Sequence, residues 1–293
     1  SAEPRAVEIP FTPGGQAMFD VEETRMRTST DQDGSNGAGI VRATLEIQGE
    51  RVPYRAIWTT QSVEAGGVTM DSRTPGAASY LLGVPVALTL DETGAPQMIE
   101  DWEGLRRRIF QVLQDGTPEN ERDAGWRRAI EATERMFAAM NPTSAAQMLF
   151  SDISIMSLCQ NTGLAVGEPL RSETHTANVL GGPPIRTSVS FELQQVDRSA
   201  GTANIVFTSS LDPASVTASI RETIERVTRE TGRDPGDVIA EFEGVTLTHD
   251  TRAECLVDLR TGVTRSVTHN IAISMGAAGA RTDRRVITVT PRH

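Results

Sequence analysis

Alternation of hydrophobic and polar residues dominates the first third of the chain. Over residues 40–48, every second position is apolar and forms one face, namely Val41, Ala43, Leu45 and Ile47. The positions between them are polar or charged. A period of two with one wet face is typical of an antiparallel strand. Similar rows predict strands over 54–63 and 84–90, and a weaker first strand over 16–30.

Three segments with helical spacing follow in the middle of the chain. Asp101 can cap the first helix, which we expect to end at the Asp-Gly pair 115–116. The second helix carries its apolar stripe on Trp126, Ile130, Phe137 and Met140, and it stops at the Asn-Pro pair 141–142. The third runs from Thr143 to about Cys159. It is apolar around most of its circumference, which predicts a helix buried between layers.

Strand patterns return in the second half, with one helix between them. Two apolar rows lie over 189–193 and 203–211. Asp212 and Pro213 predict a helix start, as N-cap and first-turn proline, and Gly232 predicts its end. The tail, 245–290, alternates like a meander. Blocks of strands and helices predict an α+β fold, with a large antiparallel, half-barrel-like sheet covered by amphipathic helices.

The domain organisation follows from breaks in these patterns. Residues 1–15 contain proline and glycine without periodicity, which predicts an extended N-terminal lead-in. We expect one α+β domain over 16–293. The turns at 91–94 and 258–262 are alike, each with an aspartate at the strand end and a glycine that can take positive φ. This likeness leaves open a duplicated unit with pseudo-halves 16–160 and 161–293.

Composition narrows the classes of partner. The chain has 293 residues, a formal net charge of −11 and 4% aromatic residues. A negative field repels phosphate backbones, so we expect no nucleic-acid partner. The chain contains no lysine, which excludes Schiff-base and P-loop lysine chemistry. Its apolar runs are far shorter than the ~18–20 residues of a membrane-spanning helix, so we expect no integral membrane protein.

The N-terminus and the two cysteines point to an oxidising compartment. The opening Ser-Ala-Glu-Pro is typical of a mature protein after signal-peptide cleavage, so we expect a periplasmic or extracellular protein. In such a compartment an even cysteine count predicts one disulfide, between Cys159 and Cys255. Cys255 is in phase with Val257 and should face inward from a strand. Two separate buried thiols remain the alternative.

The sequence shows no catalytic or metal-binding motif. Four histidines are scattered along the chain, His175, His249, His269 and His293, without HExxH or CxxC spacing, so we predict no metal site. His269 falls on an apolar strand face and is interpreted as a buried sheet histidine. Glu22 and Glu23 are interpreted as acidic surface residues. No G-x-S-x-G elbow or phosphate-binding glycine loop occurs, so we assign no catalytic residue and no cofactor.

Three segments carry a resemblance to a known group of proteins. They are 164–169 (Leu-Ala-Val-Gly-Glu-Pro), the hairpin 257–262 (Val-Asp-Leu-Arg-Thr-Gly) and the hairpin 88–94 that leads into the helix at 101–115. Together they resemble bacterial exported proteins of unknown function with a lipoprotein-carrier-like half-barrel, in which helices close a curved sheet. The resemblance implies a non-enzymatic protein that binds a hydrophobic small molecule or lipid in the bacterial envelope.

A curved sheet with one apolar face predicts a concave pocket, for which we select Trp58, Phe191 and Phe207 as wall residues. Packing of the same side chains in a filled core remains the alternative for each. Two other functions stay open. One is an envelope interaction or scaffold protein without a pocket, and the other is a hydrolase whose acid–base pair is assembled only in three dimensions.

Overall fold

The computed structural model describes residues 5–30, 36–71, 77–176, 183–242, 247–276 and 279–293. The strands of the first half are β1 (Val7–Ile9), β2 (Gln16–Ser29), β3 (Gly37–Gln48), β4 (Tyr54–Ala65), β5 (Val68–Thr69), β6 (Val86–Leu90) and β7 (Pro96–Ile99). Those of the second half are β8 (Thr162–Leu164), β9 (Leu170–Thr176), β10 (Ile185–Asp197), β11 (Thr202–Leu211), β12 (Thr248–Asp258), β13 (Thr264–Ser274) and β14 (Ala280–Pro291). The helices are α1 (Ala77–Tyr80), α2 (Trp102–Asp115), α3 (Ala124–Ala138), α4 (Pro142–Leu149), α5 (Ser151–Ser157), α6 (Pro213–Thr231) and α7 (Pro235–Phe242).

One open antiparallel sheet contains most of these strands. Its order is β7-β6-β4-β3-β2-β14-β13-β12-β11-β10-β9, and β5 pairs with the end of β4. The long strands β2 and β14 are neighbours, so the two ends of the chain meet near the centre of the sheet. The predicted α+β class, with a large antiparallel sheet and accompanying helices, is confirmed.

The N-terminal lead-in contains a short strand that its sequence did not predict. β1 pairs with β8 in a separate two-stranded sheet, and Ile9 and Phe11 are buried in the core. The Tyr54 hydroxyl donates to the Phe11 carbonyl at 3.3 Å. Three residues are too few for a visible alternation, which explains the miss. The domain boundary at residue 16 and the two pseudo-halves stay predictions.

The core lies between one sheet face and helices α2–α5. Alternation along β3 places Ala43, Leu45 and Ile47 on this face, as predicted, and each is buried. Asp101 caps α2 by accepting from the Gly104 amide at 2.9 Å, also as predicted. The helix layer reaches the sheet at two places, since α4 packs against β7 and α5 packs against β13.

The long apolar helix predicted over 143–159 is instead two helices. Asn141 begins α4 with a capping box that includes Ser144. Phe150 then leaves helical geometry, with φ −116° and ψ 42°, and α5 begins at Ser151. The Phe150 ring packs edge-on against Trp58, with centroids 6.3 Å apart. An apolar residue in helical phase hides such a break from sequence patterning.

A disulfide joins the helix layer to the sheet. Cys159 follows α5, and its sulfur is bonded to that of Cys255 on β12, with the Cα atoms 6.3 Å apart. Both residues are buried. The predicted pairing is therefore present, and Cys255 faces inward from its strand.

Helices α6 and α7 form a separate helical group. Asp212 caps α6 by accepting from the Ser215 amide at 3.1 Å, and Gly232, with φ 70°, follows its last turn. Both ends agree with the sequence prediction. The helix packs against α7 and β10. Within the described ranges, no helix is long and apolar enough to cross a membrane.

Candidate functional site

A cavity of about 450 Å³ opens on the sheet face that points away from the α2–α5 core. It lies where β14, β2 and β3 run side by side. Met26 on β2 pairs with Ala38 on β3 and with Arg284 on β14, and the next outward row is Val286, Thr24 and Ile40. The full lining is Thr24, Arg25, Met26, Ala38, Gly39, Ile40, Glu64, Gly66, Gly67, Arg284 and Val286. We call it the Met26 cavity.

The Met26 cavity has a mostly apolar lining. The Met26 side chain is 58% exposed at its floor, and Ile40 and Val286 flank it half-buried. Its volume lies within the ~300–1,000 Å³ typical of small-molecule sites. A concave apolar surface of this kind on a water-facing sheet is typical of a binding site.

One wall of the cavity is the turn between β4 and β5. Gly66 and Gly67 have φ of 58° and 78°, and a two-residue turn with both φ values positive is typical of a type I′ hairpin. The Gly66 amide donates to the Ala38 carbonyl at 3.0 Å, which fastens the turn to β3. Neither glycine has a neighbouring atom where a Cβ would stand. Positive φ is therefore the reason for glycine here.

Arg284 supplies an uncompensated positive charge at the cavity rim. Its side chain is exposed, and its cross-strand neighbours are Met26 and Asn270. Along its own strand, the outward neighbours are Thr282 and Val286, so every adjacent side chain on this face is uncharged. Within the part of the chain that the structure describes, Arg284 forms no ion pair.

The other two charged residues in the lining have polar partners. Arg25 lies in phase with Glu23 on the core face of β2, and its Nε donates to Glu23 Oε1 at 2.9 Å. Glu64 Oε2 lies 3.7 Å from Arg42 Nη1. Among the charged residues of this lining, Arg284 is therefore the one without a polar partner in the described part of the chain.

A second depression of about 420 Å³ lies farther along the same sheet face. Asp20, Glu22 and Arg42 line it, with Gln61 and threonines of β14. Arg42 Nε lies 3.0 Å from Glu22 Oε2, so the arginine is already paired. Along β2, this face therefore changes from apolar at Met26 to acidic at Asp20.

The structure brings two of the predicted wall residues together and separates the third. Phe191 and Phe207 are cross-strand neighbours on β10 and β11, with ring centroids 5.1 Å apart, and both are half-buried. Leu170, the cross-strand neighbour of Phe191 on edge strand β9, is 58% exposed. We call Leu170, Phe191 and Phe207 the edge patch.

Trp58 lies far from the edge patch. Five strands separate its strand, β4, from β11. The side chain is buried in the core, and the indole N–H donates to Thr60 Oγ1 at 3.0 Å. The core-packing alternative thus accounts for the contacts of Trp58 with Thr60 and Phe150. Ligand contact by any of the three residues stays a prediction.

Glu23 is a buried carboxylic acid, which corrects its interpretation as a surface residue. It is 2% exposed, whereas the Glu22 side chain is 50% exposed. Adjacent residues of a strand point to opposite faces, and Glu23 is in phase with the buried Phe19 and Val21. The alternation with Phe19 and Val21 was therefore the sequence signal for burial of Glu23. It was overlooked because glutamate is usually a surface residue.

Glu23 forms a polar cluster with residues of α5 and β14. Its Oε1 accepts from Arg25 Nε at 2.9 Å, and its buried Oε2 has no N–H or O–H donor. Arg285 Nη1 donates to Asp152 Oδ1 at 3.0 Å and to Ser151 Oγ at 2.9 Å. Burial, followed by the hydrogen bond and charge of Asp152, raises the pKa of Glu23 to about 8. Glu23 is therefore protonated at neutral pH and donates to Asp152.

His269 completes this cluster from β13. It is the cross-strand neighbour of Arg285 and is buried. Burial and the Arg285 cation lower its pKa to about 4, so the imidazole is neutral at neutral pH. Perturbed pKa values occur at active sites, but they also occur in structural ion networks. With Glu23 only 2% exposed, the cluster holds α5 against the sheet and is closed to a substrate.

Comparison with known proteins identifies no family. No family model matches the sequence, and no curated protein matches it. One similar solved structure describes lipid–protein interactions in lipovitellin, with a TM-score of 0.41, 10% identity and coverage of 94% of this chain. The chain spans only 25% of that lipovitellin chain.

A second similar structure is DynF from the dynemicin biosynthesis pathway of Micromonospora chersina. Its TM-score is 0.20 and its identity is 5%, over 96% of this chain and 84% of that chain. Both TM-scores are low, so neither protein indicates what this chain binds.

Proposed function

We propose that this chain is an exported, non-enzymatic protein that binds a hydrophobic small molecule or acyl chain in the Met26 cavity. The observation that carries the proposal is the cavity itself, about 450 Å³ with a mostly apolar lining. Covering that lining removes apolar surface from water, which is worth roughly 25 cal/mol per Å². Methionine suits such a floor because its flexible thioether adapts to ligands of different shape.

Export to the bacterial envelope belongs to the same proposal. The buried Cys159–Cys255 bond supports it, since disulfides persist in oxidising compartments and are rare in the reducing cytosol. The resemblance of three sequence segments to exported carrier-like proteins is consistent with it.

The geometry favours ligand binding over the two other functions. A scaffold protein without a pocket does not explain the apolar cavity on the water-facing side of the sheet. A hydrolase needs an acid–base pair within reach of substrate, and the Glu23–Asp152 pair is closed off. The edge patch is retained as a second proposed apolar contact surface, because Leu170 is exposed beside Phe191.

Binding of an uncharged apolar probe tests this proposal. Dodecanol should displace an environment-sensitive apolar dye from the wild-type protein. Met26→Glu should weaken dodecanol binding about tenfold or more, because the ligand would desolvate a carboxylate on the cavity floor. Met18→Glu is the matched control, since Met18 is also exposed on the same face of β2 but lies outside the cavity. Absence of dodecanol binding, or equal binding by Met26→Glu and wild type, would refute the proposal.

A further inference from the structure

We infer that the ligand of the Met26 cavity is an anionic amphiphile, with its acyl chain on the apolar floor and its anionic head group on Arg284. This inference rests on the proposed function and adds the chemical class of the ligand. The net charge of −11 opposes an anion in general. A site for an anion on this protein therefore needs a local cation without a counterion.

Arg284 meets that requirement, whereas the arginines around it have polar partners. Arg25 donates to Glu23 on the core face of β2, and Arg27 pairs with Asp283, with nitrogen–oxygen distances of 2.9 Å in both cases. Arg252 Nη2 lies 3.0 Å from Glu254 Oε1. Arg284, by contrast, is surrounded on its face by Met26, Asn270, threonine and valine side chains. Its guanidinium fork matches a carboxylate or a phosphate group.

The register of the strands gives the ligand one orientation. Arg284, Met26 and Ala38 form one cross-strand row, so the floor begins one strand spacing, about 4.8 Å, from the cation. From Met26 the apolar lining continues over Ile40 to the β4–β5 turn. In the other direction along β2, Asp20 and Glu22 line the acidic depression and repel an anionic head. The head group therefore belongs at Arg284 and the chain on β2 and β3.

A cationic amphiphile fits the same surface less well. The acidic residue in the lining, Glu64, is 3.7 Å from Arg42 and thus partly neutralised. A cationic head would also face the unpaired Arg284. The charges at the rim therefore favour the anion.

The test compares three probes with the same chain length and different heads: dodecanoate, dodecyl phosphate and dodecanol. Each displaces the apolar dye below its micelle concentration, at low salt and at a pH where the carboxylate is ionised. We expect wild type to bind at least one anionic probe about fivefold more tightly than dodecanol. Arg284→Gln should remove this preference, and added salt should reduce it. The two anionic probes distinguish a carboxylate head from a phosphate head.

Arg252→Gln is the matched control. Arg252 lies on the same face and the same cross-strand row as Arg284, separated by Asn270, but it is paired with Glu254. The Arg252→Gln variant should keep the wild-type preference for an anionic probe over dodecanol. Urea unfolding verifies that both variants are folded. If dodecanol binds while the anionic probes bind no more tightly, or if Arg284→Gln keeps the preference, the inference is wrong and the proposed function stands. If no probe binds, both fail.

Discussion

Glu23 and Asp152 place two carboxyl groups side by side in the protein interior, one from the central strand β2 and one from the first turn of α5. The break at Phe150 makes this contact possible, because α5 begins anew at Ser151 over the sheet. Arg285 then fixes Asp152 and Ser151 from β14. Sheet and helix layer are thus joined through a shared proton, with consequences for stability.

We expect the free energy of unfolding to fall between pH 6.5 and pH 8. The pKa of Glu23 is raised from 4.5 to about 8, so its stabilising contribution is complete below 4.5 and is lost as the pH rises through 8. The lowered pKa of His269 affects stability in a different pH range. Its stabilising contribution is present above pH 6.5 and is lost as the pH falls towards 4. The loss over this window should be about 1–2 kcal/mol, measured by urea unfolding.

Glu23→Gln should abolish this pH dependence, because the amide stays neutral and can still donate to Asp152. The variant should be more stable than wild type throughout this window, by a margin that grows by about 1–2 kcal/mol between pH 6.5 and pH 8. Glu22→Gln is the control, since the neighbouring side chain is half exposed and should leave the wild-type pH dependence intact. A pH dependence that persists in Glu23→Gln would place the shared proton elsewhere.

Loss of the disulfide should destabilise the protein strongly. The bond closes a loop between residues 96 positions apart, and it ties the end of α5 to β12. The double variant Cys159→Ala, Cys255→Ala should lose about 2–5 kcal/mol of unfolding free energy. The chain has two cysteines, so the number of free thiols in the denatured, non-reduced protein reports directly on this one disulfide. Two free thiols in freshly purified wild type would contradict the pairing.

Trp58→Phe should destabilise the core by about 1–3 kcal/mol. The change removes the indole donor and leaves the buried Thr60 hydroxyl without its 3.0 Å partner. Trp126→Phe is the matched control, because Trp126 is only half-buried, with Arg122 over its ring at 5.5 Å. It should cost less than about 0.5 kcal/mol. Equal losses in the two variants would show that Trp58 is not a core residue.

The edge patch should bind a second apolar ligand more weakly than the Met26 cavity. Native mass spectrometry with dodecanol should then show two ligand molecules at high concentration. The double variant Phe191→Ser, Phe207→Ser should lose the second molecule and keep the first, because β10 and β11 are distant from β2 in the sheet order. A single bound molecule in wild type would remove Phe191 and Phe207 from the ligand-binding surface.

Local sequence patterns predicted much of the fold, because the spacing of apolar residues shows which face of a strand or helix is buried. The alternation around Leu45 and the caps at Asp101 and Asp212 each depend on neighbours within a few residues. The break at Phe150 was missed, because Phe150 continues the apolar helical phase and its ring contact, Trp58, lies on a distant strand.

The Met26 cavity could not be predicted from local patterns. It requires the register that sets Met26 beside Ala38 and Arg284, and Arg284 lies far along the chain. In the sequence, the one indication of an unusual outward face was the weak alternation over 16–30. That strand carries apolar Met18 and Met26 on its outward face and the acid Glu23 on its core face, which is the reverse of the usual pattern.

Methyl NMR of protein labelled with ¹³C at the methionine methyl groups tests the ligand site most directly. The nine methionines report on separate parts of the molecule, and Met26→Leu assigns the resonance of interest. During titration with dodecanol, the Met26 methyl signal should shift first and saturate, while that of Met18 stays in place. A Met26 signal that does not move while the protein binds dodecanol would contradict the account.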